Sequence, residues 1–460
     1  MTTTVSPEIR ESMTPVEEYL REDPRTPAVL FEQAGEDPPL IPVPVEQFTS
    51  REWHEREVER LWKKTWQMAC RENDIPEKGD YIEYRITGQT IVLVRQGDGS
   101  IKALRNNCLH RGTALIEGSG NGSQLQCTFH GWTWNLDGSL QRIPCRWDFP
   151  KVEDDRYRLP EIKVDTWNGF VFVNFDPDCE SLDDFVGPTL KRHFALWPLD
   201  RRYKAVHVVK KINCNWKVAL QAFMEDYHVF RTHTNIIGYA GDCNSQYDIF
   251  DDRHSRMITA MGVPSPHLQD SYTAQDTVDS MIGDLIADVG RDADEAVEPP
   301  KIPGGATSRQ VLANFMRTSM GKRLGIDFTD RSDSEVLDAI QYQMFPNLIP
   351  WGGFSFPLVY RYRPADDPDW CYFDVMILAP LPDGVPLPRD AAPVELPSEQ
   401  PWSAAEQLGG LGVVYDQDMV NLPKVQRGMH NDSLTELTFS EYQERNIRHF
   451  HRRLASIIGD

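Results

Sequence analysis

Cys108-Leu109-His110-Arg111-Gly112 and Cys127-Thr128-Phe129-His130-Gly131-Trp132 are the two stretches on which the reading of this chain turns, with sixteen residues between His110 and Cys127. Each pair holds one cysteine and one histidine, first as Cys-x-His and then as Cys-x-x-His. Two thiolates and two imidazoles in this order suit a two-iron, two-sulfur cluster, with both cysteines on one iron and both histidines on the other. Neutral imidazoles in place of two thiolates reduce the negative charge, so such a cluster accepts an electron more readily. Structural zinc takes the same ligand types, but usually with cysteine paired to cysteine and histidine to histidine. Gly112 and Gly131 follow the histidines and allow tight turns beside the cluster.

Outward from these loops the pattern is strand-like. Tyr81–Ile86, Thr90–Val94, Ile101–Leu104 and Gly169–Phe175 are apolar or alternating segments separated by Gly- and Asp-rich turns. Arg51–Trp66 reads as a helix whose apolar positions are Trp53, Val58, Leu61 and Trp62. Residues 1–48 are rich in Pro and acid and read as an extended arm suited to wrapping a neighbouring subunit. Pro177 marks a boundary, so residues 49–177 form a cluster domain and residues 178–460 a second, larger one. In the latter, Ala205–Ile212 reads as a strand and Trp216–Thr232 as a helix. Residues 255–340 read as a helical insert, with helices over Thr277–Val289 and Arg309–Leu324 and a loop over Asp294–Gly305. Strands return at Tyr342–Leu348, Phe356–Tyr362 and Cys371–Leu378, and Thr438–Ile458 reads as a closing helix.

The 460 residues carry 40% hydrophobic and 26% charged side chains, ordinary for a globular protein, and a formal charge of −22. That charge argues against a nucleic-acid partner, whose phosphates would be repelled. An acidic redox partner would need a local basic spot, for which Arg111, Arg142 and Arg146 are the candidates. No apolar run reaches the length of a membrane span, and Met1–Pro15 lacks the apolar stretch of a signal peptide, so a cytoplasmic protein is expected. Cys70, Cys145, Cys179, Cys214, Cys243 and Cys371 have no disulfide-framework rhythm and read as buried small hydrophobes.

A second constellation lies in Glu225-Asp226-Tyr227-His228 with His233. Gln221, Glu225 and His228 share one stripe of a helix, at i, i+4 and i+7. His233 falls about 140° further round, so the helix must end or distort between the two histidines for both rings to reach one ion. Two histidines and one carboxylate form the facial triad of non-haem iron oxygenases. Glu225 is better placed to connect than to coordinate, which leaves Asp418 as the candidate carboxylate and Asp416 as its rival.

Taken together, the two cluster pairs, Asn215-Trp216-Lys217, the Glu225–His233 segment, and Asp418 ahead of Gln426-Arg427-Gly428 resemble the large (α) subunit of the Rieske non-haem iron ring-hydroxylating oxygenases. The resemblance runs from about residue 50 to the C-terminus. It implies an α+β chain, with a small all-β Rieske iron–sulfur domain and a larger antiparallel-sheet catalytic domain flanked by helices. It further implies that Cys108, His110, Cys127 and His130 bind the 2Fe-2S cluster, and that His228, His233 and Asp418 bind a mononuclear Fe(II). Glu225, aided by Gln221, would be the catalytic bridge. Such chains assemble head to tail as homotrimers, with or without a small β-subunit (α3β3), so that Glu225 links His228 to a neighbour's cluster histidine such as His130. Dioxygen is the co-substrate. Electrons come from NAD(P)H through a separate flavin reductase and ferredoxin, in keeping with the lack of a G-x-G-x-x-G fingerprint here.

In the ring-dihydroxylating branch, Asp and Asn are common where this chain has Glu225 and Gln221. Glu at the bridge also occurs in branches that monooxygenate or demethylate. By motif offset, Ala222, Val229, Leu408 and Val414 line the substrate pocket, and their small size predicts a bulky aromatic or polycyclic substrate, with cis-dihydroxylation favoured. The alternative is a monooxygenase or demethylase acting on a smaller polar or quaternary-ammonium substrate, caged by Trp351, Phe354 and Phe356. A Rieske electron carrier without catalysis needs only about 100–130 residues, and leaves the second triad without purpose.

Overall fold

The computed structural model describes residues 13–33, 35–289 and 298–459. A seven-stranded antiparallel sheet carries the cluster loops, in the order Gln67–Arg71, Phe170–Asn174, Glu161–Trp167, Ile101–Arg105, Gln89–Arg95, Asp80–Ile86, Ser119–Asn121. Strand Gln89–Arg95 alternates between two cores. Ile91 and Leu93 face a large core shared with the second domain, while Val92 and Val94 face a small core around Cys108, Cys127, Trp132 and Trp134. A three-stranded sheet, Leu125–Gln126, Thr133–Trp134 and Leu140–Arg142, closes that small core.

The second sheet has eight strands, ordered Gln246–Ile249, His254–Thr259, Ala339–Met344, Leu348–Pro350, Leu358–Pro364, Cys371–Pro380, Arg202–Ile212, Val394–Leu396. All neighbours are antiparallel except the last pair. Helices Trp216–Gln221, Gly410–Met419, Leu422–Met429 and Arg445–Ile458 accompany it, and the shared core includes residues of each. Among the described residues no helix is long and apolar enough to cross a membrane.

Several elements differ from the sequence reading. The segment read as one helix over 51–66 is α-helical over Arg51–Glu57 and then π-helical over Val58–Trp62. From residue 13 onward the arm lies on its own chain: Val16, Leu20, Val29 and Leu30 are buried with Trp66 and Tyr342, and Arg256 donates to the carbonyls of Val29, Leu30 and Glu32. Residues 1–12 lie outside the described residues.

The 255–340 segment opens as the strand His254–Thr259 before its helices Ala274–Val289, Ser308–Leu324 and Asp333–Leu337, which build a core of their own. The loop read over Asp294–Gly305 is described only from residue 298. Tyr342–Leu348 is two strands meeting at the pair Met344–Leu348. The last helix begins only at Arg445; ahead of it the chain is held in a turn in which the Ser440 N–H donates to Glu444 Oε2 (2.6 Å) and the Glu444 N–H to Ser440 Oγ (3.0 Å). Cys145 is exposed and Cys179 half-buried, contrary to the buried role expected of both.

The largest departure is at residues 216–232. The helix stops at Gln221, and one helical turn resumes at Val229–Thr232. Gln221, Glu225 and His228 therefore do not share a helical stripe, and the break falls before His228 rather than after it. Tertiary hydrogen bonds take the chain out of the helix. Gln341 donates to the Phe223 carbonyl, and Ser245 and Thr259 donate to Asp226 Oδ2.

Candidate metal centres

Cys108 and Cys127 open two loops with one hydrogen-bond pattern. The Cys108 N–H donates to the Thr113 carbonyl (2.8 Å) and the Gly112 N–H to the Cys108 carbonyl (2.8 Å). Likewise the Cys127 N–H donates to the Trp132 carbonyl (2.8 Å) and the Gly131 N–H to the Cys127 carbonyl (3.0 Å). Gly112 (φ 86°) and Gly131 (φ 72°) take the left-handed turn that each loop requires.

Both thiols are buried. Burial raises the Cys108 thiol. At Cys127 burial acts the same way, but the N–H groups of Phe129 and His130 outweigh it and lower the thiol. The His110 ring stacks on Trp132 at 5.1 Å and lies 4.8 Å from the His130 ring. His110 Nδ1 is buried without a hydrogen-bond partner, as an imidazole nitrogen reserved for a metal would be. Two buried thiols and this orphaned nitrogen fit a 2Fe-2S cluster. His130 stands exposed, with the Arg111 guanidinium 3.0 Å from its Nε2. Of the three basic candidates for a docking spot, Arg146 is spent on the carbonyls of Phe149 and Val152 and on Asp154.

The second constellation converges. His228 Nε2, His233 Nε2 and Asp418 Oδ1 approach one another at 3.2, 3.6 and 3.1 Å. Two imidazoles cannot share that space with their nitrogens facing unless a proton or a cation lies between them. The donor set and its spacing fit a mononuclear metal. Asp418 is held by helix Gly410–Met419, and its rival Asp416 is engaged elsewhere, accepting the N–H groups of Trp402 (2.5 Å) and Ser403 (3.2 Å).

Glu225 supports His228 twice: Oε1 lies 2.7 Å from the His228 Nδ1, and Oε2 accepts the His228 N–H at 3.0 Å. Burial lowers the affinity of His228 for a proton, but Glu225 and Asp418 outweigh it and push its pKa up to about 9. A bound cation competes for the same electrons. Asp226 is raised to about 6 by burial.

Gln221 points away from this group and puts Nε2 2.6 Å from the His451 Nε2. Of the four pocket candidates, Ala222 and Leu408 pack into the shared core, Val229 is buried, and Val414 is half-buried one helical turn before Asp418. The three aromatic residues do not form one cage. Trp351 and Phe356 meet at 5.4 Å, whereas Phe354 packs on Phe328 and under the guanidinium groups of Arg202 and Arg331. Sequence reasoning missed Gln417, whose Oε1 lies 2.7 Å from the His233 Nδ1. Its place next to Asp418 in sequence was the only signal for it.

Residues 65–153 match the Rieske 2Fe-2S domain, and residues 194–460 match the ring hydroxylating alpha subunit (catalytic domain). The chain is 31% identical over 213 residues to the chlorobenzene dioxygenase subunit alpha of Cupriavidus sp. strain PS12, covering 45% of this chain and 46% of that protein. It is 29% identical over 188 residues to the carnitine monooxygenase oxygenase subunit of Acinetobacter baumannii, covering 40% of this chain and 51% of that one. The chain thus spans about half the length of the curated relatives it matches. Its fold resembles that of a quaternary ammonium Rieske monooxygenase, with a TM-score of 0.64 and 17% identity, over 91% of this chain and 95% of that one. The catalytic-domain match alone takes in more than half of the sequence, and on that ground this chain belongs to the ring-hydroxylating alpha-subunit family, with a Rieske domain ahead of the catalytic one.

Proposed function

We propose that this chain is a terminal oxygenase that uses dioxygen, and electrons from a separate NAD(P)H reductase and ferredoxin, to hydroxylate a hydrophobic aromatic or polycyclic substrate. The observation that carries the reading is the convergence of His228, His233 and Asp418, with Glu225 clasping His228 from behind. Cys108, His110, Cys127 and His130 hold the cluster, and His228, His233 and Asp418 hold the mononuclear iron. When bound, the two centres supply one-electron storage and dioxygen activation.

The chain's own residues orient and connect. Glu225 accepts the His228 Nδ1 proton, so His228 offers Nε2 to the metal. Gln417 does the same for His233. In a head-to-tail homotrimer, alone or with a β-subunit, Glu225 reaches the neighbour's exposed His130 and gives the electron a short bonded path. Exposed Tyr227, two residues from Glu225, lies on the face such a neighbour would cover.

Val414, on the same helix face as Asp418, favours a roomy apolar pocket, and the outcome proposed on an aromatic substrate is cis-dihydroxylation. A second reading, monooxygenation or demethylation of a quaternary-ammonium substrate, is favoured by Glu at position 225 and by the carnitine monooxygenase relatives. Turnover under isotopically labelled dioxygen separates them. A cis-dihydrodiol carrying both labelled atoms supports the first, and a product carrying one supports the second. Val414→Trp should abolish turnover of the largest substrates while sparing small ones; unchanged activity on the largest would remove Val414 from the pocket. Site of action is proposed to be the cytoplasm, where reduced pyridine nucleotide is supplied.

A further inference from the structure

Asp242, Cys243 and His267 form a second cluster of metal-ligating side chains, separate from His228, His233 and Asp418. One ligand atom of each lies within 4.8 Å of the other two. Asp242 and Cys243 belong to the 3-10 turn Asp242–Asn244, and His267 to the 3-10 helix Pro266–Ser271. Ser265 ties the two together: its hydroxyl donates to Asp242 Oδ2 (2.7 Å) and accepts the His267 N–H (3.2 Å). Asp242 and Cys243 are buried and His267 is half-buried.

Burial pushes the Asp242 carboxyl and the Cys243 thiol up, and Asp242 pushes the thiol further. Among the described residues, neither ring nitrogen of His267 has a hydrogen-bond partner. The ring packs instead against Phe230, tilted by 31° with the centroids 4.0 Å apart. Burial thus favours the protonated forms of both acids, and the case for a cation rests on the convergence of one oxygen, one sulfur and one nitrogen donor at this spacing, from which a divalent cation would displace the thiol proton.

We propose that Asp242, Cys243 and His267 bind a borderline-soft divalent cation of the zinc type through a carboxylate oxygen, a thiolate sulfur and an imidazole nitrogen. Binding replaces the thiol proton, which passes to solvent. A water fills the fourth tetrahedral position on the half-exposed side of His267. Zinc suits this mixed oxygen, sulfur and nitrogen set better than calcium or magnesium, which take oxygen ligands. Phe230 lies between His228 and His233 in sequence, so a cation on His267 braces the turn that carries both histidines.

The test adds zinc to the holoenzyme with both iron centres in place and removes the excess by gel filtration. Zinc and iron are then counted by plasma mass spectrometry, and the zinc surroundings are read by X-ray absorption. One retained zinc per chain, with a single sulfur in its first shell, is expected. Cys243→Ser and His267→Gln should each lose that zinc while keeping wild-type iron and cluster colour. Absence of retained zinc overturns the proposal, as does equal zinc in both variants. Zinc that displaces iron, with a sulfur-free shell, or that bleaches the cluster, with two sulfurs, also overturns it.

Discussion

Gln417 Oε1 lies 2.7 Å from the Nδ1 of His233, and this places the ring proton on Nδ1 and leaves Nε2 facing Asp418. Gln417 is itself steadied by Asn235, its Nε2 donating to Asn235 Oδ1 at 3.0 Å. Partners of this kind typically contribute about 10- to 100-fold in metal affinity or activity. Gln417→Leu should therefore weaken iron binding at the mononuclear site by about that factor and leave cluster absorbance unchanged. Iron titration of the stripped enzyme measures it, and wild-type affinity in the variant would remove Gln417 from this role.

Glu225 does for His228 what Gln417 does for His233, and bears a charge besides. Glu225→Gln keeps an acceptor oxygen near the His228 Nδ1 but removes that charge. Both metal centres should remain, and turnover should fall by about 10- to 100-fold or more. Iron and sulfide content together with steady-state rates check this. Near-normal turnover would refute the bridging role.

Lys217 and Glu57 form a buried ion pair at 2.5 Å, and Trp53 and Trp216 also donate to Glu57. It joins the helix leading into the cluster domain to the helix leading into the iron site. Lys217→Met strands a buried carboxylate, at a cost of about 3–5 kcal/mol. Thermal unfolding should reveal a large loss, and the double variant Lys217→Met with Glu57→Gln should recover much of it. Equal stability of the single variant and the wild type would contradict this account.

Six histidines outside the candidate metal ligands are buried, and four of them are held strongly neutral. Burial lowers His193, His207 and His449 to about 4 and His451 to about 3. Below their unfolded value of about 6.5 the unfolded chain takes up protons that the folded chain refuses. Stability should be full above that pH and fall as the pH drops from there towards 4. Each histidine contributes up to about 1.4 kcal/mol per pH unit. Urea unfolding between pH 7.5 and 5, with cluster absorbance followed separately, tests the slope. A midpoint unchanged down to pH 5 would show that these rings are not held neutral.

The strands flanking the cluster loops were legible because alternation between two apolar faces writes itself into Gln89–Arg95 residue by residue. Helix Ser308–Leu324 was legible for a similar reason: its Thr307–Gln310 capping box and Gly325 stop are local. The break after Gln221 was not. Its cause is Gln341 reaching the Phe223 carbonyl from 118 residues away, against a local pattern that favours helix. The arm differs for the same reason, since its Pro-rich composition hides Val16, Leu20, Val29 and Leu30, which distant residues of this chain bury.

By itself the sequence determined the two Cys–His loops, their glycine turns and the histidine pair, because a loop of five residues has few dihedrals and its spacing sets its shape. Asp418 was the sequence's own candidate, and the tertiary structure showed where its rival Asp416 is engaged; only the tertiary structure seated Gln417 behind His233 across 184 residues of chain and drew Cys243 beside His267. Those choices depend on how a helix docks on a sheet, which is set by the burial of many side chains at once and not by any one stretch of residues.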